Sequence, residues 1–310
     1  MARTDSIISI QLPTNSEADI IRWRYQGQPG PRIAVVAGIR GDTPEGMRVA
    51  YSLRVSLAKL EPLLKGSIDI YPCVNPLAAE QGERYWPFFG VDLNRLFPGK
   101  KNGHPPDRVA YHLVQDIQGA DLVCELRGAR PGFQESTQAL VSSDEAVQWA
   151  LHTNVKVVWK RTPGPAAPRT FAYQFTNSMV IEGGTGNRLT AEVGSNIHDG
   201  LLNLFVQFGI LPEDSLPFSW MTMERPVVVQ DDEVLRIRTD RSGLFLPQVA
   251  LEQPLVQGDI LGDVVDPATG ELKAQITAPR DGTIMALRDQ PVISPGEMVA
   301  RLLCPNKEKR

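Results

Sequence analysis

The chain has 310 residues, of which 42% are hydrophobic and 22% charged, with a formal net charge of -4. That length is enough for two domains and a large core, and the composition is that of an ordinary globular protein. The acidic balance argues against a nucleic-acid partner, and no run of about 18 apolar residues predicts a membrane span.

The first twenty residues, "MARTDSIISIQLPTNSEADI", hold neither an apolar h-region nor a cleavage-like site, so no leader is expected. From there to residue 225 the chain reads as one α/β unit. Apolar runs predict strands at "RIAVVAGI" (32–39), "GSIDIYPCVNP" (66–76), "GADLVCEL" (119–126), "TQALVSS" (137–143), "NVKVVW" (154–159) and "NRLTAEVG" (187–194). Amphipathic spacing predicts helices in "PEGMRVAYSLRVSLAKLEPLL" (44–64) and "PPDRVAYHLVQDIQ" (105–118). The alternation implies a mixed sheet covered by helices on both faces, with its chemistry at strand C-terminal ends. "KRTPGPAAPRTF" (160–171) is a Pro-rich surface excursion near those ends. Trp86, Phe88 and Phe89 read as core rather than as pocket walls.

Residues 226–310 change character. Two half-repeats, "RSGLFLPQVALEQPLVQGDILGDV" and "RDGTIMALRDQPVISPGEMVARL", each place R-x-G before alternating strand residues and a Gly turn. Short strands punctuated in this way predict a small β-sandwich or barrel. The pattern looks like a biotinyl/lipoyl-type barrel-sandwich, a family in which a hairpin-tip lysine carries the cofactor. Here Lys273 lies past the tip of "DPATGELKA" and reads as a solvated strand lysine.

The three cysteines, Cys73, Cys124 and Cys304, are odd in number and far apart, which predicts reduced thiols in a cytoplasmic protein. Cys124 follows apolar residues and reads as a buried strand position. "GGTGN" (183–187) is not a phosphate-binding pattern, and no G-x-S-x-G elbow is present.

Four segments carry a family resemblance: "AGIRGDTPEG" (37–46), "YPCVNPLAAEQGERYWPFFGVDLNRLFPG" (71–99), "ADLVCELRG" (120–128) and "LTAEVG" (189–194). Together they resemble the succinylglutamate desuccinylase/aspartoacylase family of the zinc carboxypeptidase superfamily. The resemblance implies a zinc-carboxypeptidase-like mixed sheet flanked by helices over residues 1–225, followed by an all-β barrel-sandwich-like domain over 226–310. It also implies hydrolysis of N-acyl amino acids. In that family two His and one Glu bind zinc, a Glu in an E-x-G segment is the general base, and an Asn-Arg pair with an upstream Arg holds the substrate carboxylate.

Carried onto this chain, the base position is Glu192, and the carboxylate-binding positions are Arg84, Asn94 and Arg95. The three zinc positions are Arg40, Thr43 and Arg127, and none of these is a zinc ligand. Arg keeps its proton and offers no lone pair, and a neutral Thr hydroxyl is a poor ligand. No zinc or other cofactor is therefore expected, although the family uses zinc. His104, His112, His152 and His198 show no metal-binding spacing.

Arg40, Arg84, Arg95 and Arg127 instead suggest a pocket for a small carboxylate-bearing molecule. Equally, they suggest a salt-bridge network that closes the old site on itself. The reading we carry forward is a non-catalytic or anion-binding subunit, oligomeric and partnered with a zinc-bearing paralogue. The alternative is a hydrolase of N-acyl amino acids or related amides. That hydrolase is either metal-free, through Glu192 and the arginines, or uses a zinc site the motifs do not reveal.

Overall fold

The computed structural model describes residues 2–12, 15–216 and 225–305. The chain opens with an antiparallel hairpin, β1 (Arg3–Gln11) and β2 (Glu17–Gln26), followed by β3 (Gln28–Ala37). Helix α1 (Pro44–Leu60) leads to β4 (Lys65–Tyr71) and the short α2 (Pro76–Gln81). Next come α3 (Pro105–Ile117), β5 (Leu122–Leu126), β6 (Phe133–Val141), α4 (Asp144–Ala150) and β7 (Val157–Lys160). The α/β part closes with β8 (Ser178–Thr185) and α5 (Ala191–Gln207).

The large sheet runs β1-β2-β4-β3-β5-β8-β6, with parallel pairing of β3 to β4 and β5, and of β5 to β8. Alternation along β3 explains the layering. Ile33, Val35 and Ala37 pack on one face with Leu53 and Leu57 of α1 and Ile197 and Leu201 of α5. Ala34 and Val36 pack on the other with Val109, Leu113 and Ile117 of α3. A strand buried on both faces must be apolar throughout, which is why "RIAVVAGI" reads as an unbroken run.

The predicted strand over 187–194 is not formed. Those residues are a turn and the first turn of α5, and the inner strand is the earlier "SMVIEGGT" of β8. Leu189, Ala191 and Val193 alternate as a strand would. But Val193, Ile197, Leu201 and Leu204 continue at helical spacing and face the core, and that longer period wins. Trp86 is buried as expected, whereas Phe88 and Phe89 are exposed and belong to a separate apolar groove with Leu77 and Ile10.

In the C-terminal part, β9 (Val227–Gln230) pairs with β7, and β10 (Val234–Arg238) leads to β11 (Gly243–Pro247) and β12 (Pro254–Leu255). β13 (Ile260–Val265), β14 (Leu272–Thr277), β15 (Gly282–Arg288), β16 (Val292–Ile293) and β17 (Met298–Leu303) complete it. A four-stranded antiparallel sheet, β14-β13-β11-β16, packs through Phe245, Leu261 and Val264 onto Ile284, Val299 and Leu302 of β15 and β17. β15 also pairs antiparallel with β6, so the large sheet runs on through β15, β17 and β10. Lys273 sits on β14 and is held 2.7 Å from Asp266, away from the hairpin tip.

Where the two parts meet, Arg301 of β17 donates to Glu135 of β6, with side chains 3% and 1% exposed. Removing one partner of such a pair strands the other charge in a low-dielectric interior. Arg301→Met is expected to lower stability by about 3 kcal/mol in urea denaturation, and Arg301→Met/Glu135→Gln to recover most of that loss. An unchanged urea midpoint in the single variant would show that the pair does not hold the two parts together.

Candidate functional site

The parallel strands end at one edge of the sheet, and the loops leaving them build a cleft of about 480 Å³. Beyond β3 the chain turns at Gly38, whose φ of +66° is open to glycine and whose missing Cβ would lie 2.9 Å from Cys73 Cα. This turn points Arg40 into the cleft. Thr43 then starts α1, and its hydroxyl donates to the Arg40 carbonyl (3.1 Å), closing the turn. Gly46 lets the helix approach β5, since a Cβ there would sit 2.4 Å from the Leu126 carbonyl oxygen.

At the end of β5, Arg127 enters the same cleft, its Nε 2.5 Å from Glu125 Oε1. β8 runs beside β5, with Leu126 opposite Ile181, so the next residue, Glu182, faces Arg127. Glu182 Oε2 lies 3.9 Å from Arg127 Nη1, and Glu182 Oε1 accepts from Gln138 Nε2 at 2.9 Å.

The segment before α3 supplies the third wall. Asp92 accepts from the backbone N–H of Asn94 and takes two bonds from Arg84, at 3.0 and 2.7 Å. Asn94 is buried, and its Oδ1 accepts from the Phe171 N–H, which ties the Pro-rich loop to the site. Arg95 donates to the Asn94 carbonyl. The loop, expected as a surface excursion near the strand ends, brings Arg161 and Thr170 to the cleft, and Arg130 adds a further guanidinium.

Arg40, Arg84, Asn94, Arg95 and Arg127, read separately from the motifs, therefore line one cleft. Glu192 does not join them. It lies in the first turn of α5 and faces a different depression with Thr190, Asn196 and Glu252. Sequence reasoning missed Glu182, although Glu182-Gly183-Gly184 has the same E-x-G form as Glu192-Val193-Gly194. Arg130 and Arg161 carry no motif that marks them. His198 is also elsewhere, on α5, between Ser56 Oγ (2.9 Å) and Asp199 (2.8 Å). Cys124 is inert, since burial pushes its thiol up to about 12.

Six arginines line the cleft against Asp42, Glu135 and Glu182, with Asp92 and Glu125 behind them. The compensation is uneven. Among the described residues Arg95 and Arg130 have no carboxylate within ion-pair distance. Among the described residues Arg40 reaches only Asp92, at 3.7 Å. Burial, and then repulsion from Arg127, pull the Arg40 guanidinium down to about 10 against the pull of Asp92. Arg127 is also desolvated, but Glu125, Glu182 and Asp92 together outweigh this and hold its pKa above the usual value. Burial raises the Asp42 carboxyl, while the two neighbouring arginines draw it back. The cleft is thus net cationic and suited to an anion.

The same side chains do not fit zinc. Arg40 and Arg127 offer no lone pair and repel a cation, and Thr43 spends its hydroxyl on the Arg40 carbonyl. Among the described residues no group of three or more His, Cys, Asp or Glu is placed to hold a metal ion. Also among them, no helix is long and apolar enough to cross a membrane.

Residues 29–205 match the model of the succinylglutamate desuccinylase/aspartoacylase catalytic domain. The chain is 25% identical over 290 residues to the N-alpha-acetyl-L-2,4-diaminobutyric acid deacetylase of Halomonas elongata, covering 87% of this chain and 81% of that one. It is similar in fold to a succinylglutamate desuccinylase/aspartoacylase from Rhodobacter sphaeroides, with a TM-score of 0.83 at 19% identity over 99% and 96% of the two chains. It is likewise similar to the product-bound ectoine utilization protein EutE (DoeB) from Ruegeria pomeroyi, with a TM-score of 0.82 at 19% identity over 98% and 95%.

The donor chemistry gives a direct test. Protein incubated with zinc and then dialysed is expected to retain almost none by elemental analysis. The variant R40H/T43E/R127H, which replaces all three residues by ligands, is expected to retain about one zinc per chain. One zinc per chain in the unsubstituted protein would mean that other residues form a site.

Proposed function

Because the chain belongs to the succinylglutamate desuccinylase/aspartoacylase family, we propose that its cleft takes a small carboxylate-bearing amide of the N-acyl amino acid class and hydrolyses it without zinc. The observation that carries this reading is the convergence of Arg40, Arg84, Asn94, Arg95, Arg127 and Glu182 on one cleft. The deacetylase relative from Halomonas elongata supports the substrate class.

In this reading Arg84 and Arg95, on either side of Asn94, hold the substrate carboxylate, because a guanidinium fork matches a carboxylate in shape and charge. Glu182, fixed on one oxygen by Gln138, accepts a proton from water. The water oxygen attacks the amide carbon, and negative charge gathers on the carbonyl oxygen. Arg127 and Arg40, converging beside Glu182, stabilise that charge. Collapse breaks the C–N bond, the proton held by Glu182 passes to the leaving nitrogen, and a carboxylic acid and a free amino acid result. Glu192, outside the cleft, takes no part.

A second reading keeps the binding and drops the chemistry. The substitution of all three zinc positions favours a non-catalytic, anion-binding subunit that works with a zinc-bearing paralogue in an oligomer.

Turnover of a panel of N-acetyl and N-succinyl amino acids separates the two. The first reading expects hydrolysis that survives a chelator, falls by about a hundredfold or more in Glu182→Gln and is unchanged in Glu192→Gln. Binding of the same compounds with no turnover would move the protein to the second reading. Neither binding nor turnover would overturn both.

A further inference from the structure

Among the described residues the arginines at the family's zinc positions leave guanidinium donors unused: all of those of Arg40, and the terminal nitrogens of Arg127. The Arg40 side chain is only 16% exposed, yet its guanidinium makes no hydrogen bond among the described residues, and its Nε is fully buried. The carboxylate nearest to it, Asp92, already takes both short bonds from Arg84. Arg127, 13% exposed, spends its Nε on Glu125, while its terminal nitrogens have no hydrogen-bond partner among the described residues. Glu182, at 3.9 Å, is close enough to attract Arg127 and too far to bond it. Both side chains line the cleft. A buried donor without an acceptor is costly, as at Arg40 Nε, and the terminal nitrogens of both side chains stand at the cleft wall with donors unused.

A self-satisfied network would look different. Arg22 shows the contrast at the terminal nitrogens: its Nε is buried and unpaired like that of Arg40, but its terminal nitrogens bond Asp5 and both oxygens of Asp116. Arg24 and Arg32 likewise share the buried Asp69. At the cleft Asp42 Oδ1 and Glu125 Oε2 are themselves without a hydrogen-bond partner among the described residues, yet neither bonds the free guanidinium donors, so the acceptor for those donors comes from outside the chain, as water or as a ligand.

We propose that Arg40 and Arg127 form a subsite for a tetrahedral oxyanion, either inorganic phosphate or the phosphoryl group of a small metabolite. A position that holds a cation in zinc-bearing relatives holds an anion here. The inference rests on the cleft reading above and deepens it: the donors that stabilise a transient tetrahedral oxyanion during hydrolysis also bind a ready-made one. Phosphate then competes with the amide for the cleft. A phosphate presents more acceptor oxygens than a planar carboxylate and carries more charge near neutral pH, so it answers two guanidinium groups at once.

Calorimetric titration and thermal melting of the full chain test this, using inorganic phosphate, glycerol 3-phosphate and acetate as probes in phosphate-free buffer. Phosphate is expected to bind, to raise the melting temperature and to bind more tightly than acetate. Arg40→Gln is expected to weaken phosphate about tenfold or more while still unfolding cooperatively, and Arg40→Lys, which keeps the charge and loses the fork, to fall between. Glycerol 3-phosphate binding more tightly than phosphate would assign the subsite to a phosphorylated metabolite, and the reverse order to the free ion. No phosphate binding by the unsubstituted chain, or equal binding by Arg40→Gln, would overturn the proposal. The amide reading fails independently, on the N-acyl amino acid panel, whatever phosphate does.

Discussion

The guanidinium groups of Arg40 and Arg127 meet at the ends of two parallel strands, and the fold around them is arranged to tolerate that encounter. Like charges in a partly dry cleft repel strongly, so each needs a carboxylate close by. Arg127 has Glu125 from its own strand and Glu182 from the neighbouring one. Arg40 has only a share of Asp92. The turn at Gly38, the hydroxyl of Thr43 and the close approach at Gly46 hold this arrangement rigid. The result is a cationic site built from side chains at the positions that the family resemblance assigns to zinc ligands.

This exchange is conservative in one respect and not in another. Zinc and the arginine pair both place positive charge beside Glu182, the glutamate proposed as base. A metal ion, however, binds water and polarises it, whereas guanidinium only donates hydrogen bonds. The chain therefore keeps the electrostatics that favour an anionic ligand or transition state and loses the means of lowering the pKa of water. Any proton transfer rests on Glu182, which Gln138 fixes in place.

The C-terminal strands take part in this site indirectly. β15 continues the large sheet beyond β6, and Arg301 of β17 bonds Glu135, which lines the cleft from below. The Pro-rich loop closes the opposite side, anchored by Asn94 through the Phe171 N–H. So Asn94 holds a wall of the cleft as well as standing next to the arginines proposed to bind a carboxylate. Its motif position in the sequence suggests only the second of these.

Much of this was legible in the sequence. Apolar runs marked β3, β4, β5, β7 and the second half of β6, unbroken in β3, where a strand covered on both faces admits few polar residues, and helical spacing marked α1 and α3. The substituted metal positions were equally plain, since the chemistry of Arg and Thr toward a cation does not depend on context. The sequence reading put the base position at Glu192 and passed over the second E-x-G glutamate, Glu182, which is the one that faces the arginines. Both follow apolar residues, and local pattern treats them alike. The register of β8 against β5 puts Glu182 beside Arg127, and the helical continuation of Val193, Ile197 and Leu201 turns Glu192 away. Arg130 and Arg161, without a motif, reach the cleft only because chain segments distant in sequence fold to its rim. The sequence by itself determined which residue types the chain carries, and hence the sign of the charge it can gather. Tertiary structure alone decided which of those charges meet, because burial and strand register, rather than spacing along the chain, set the distances between them.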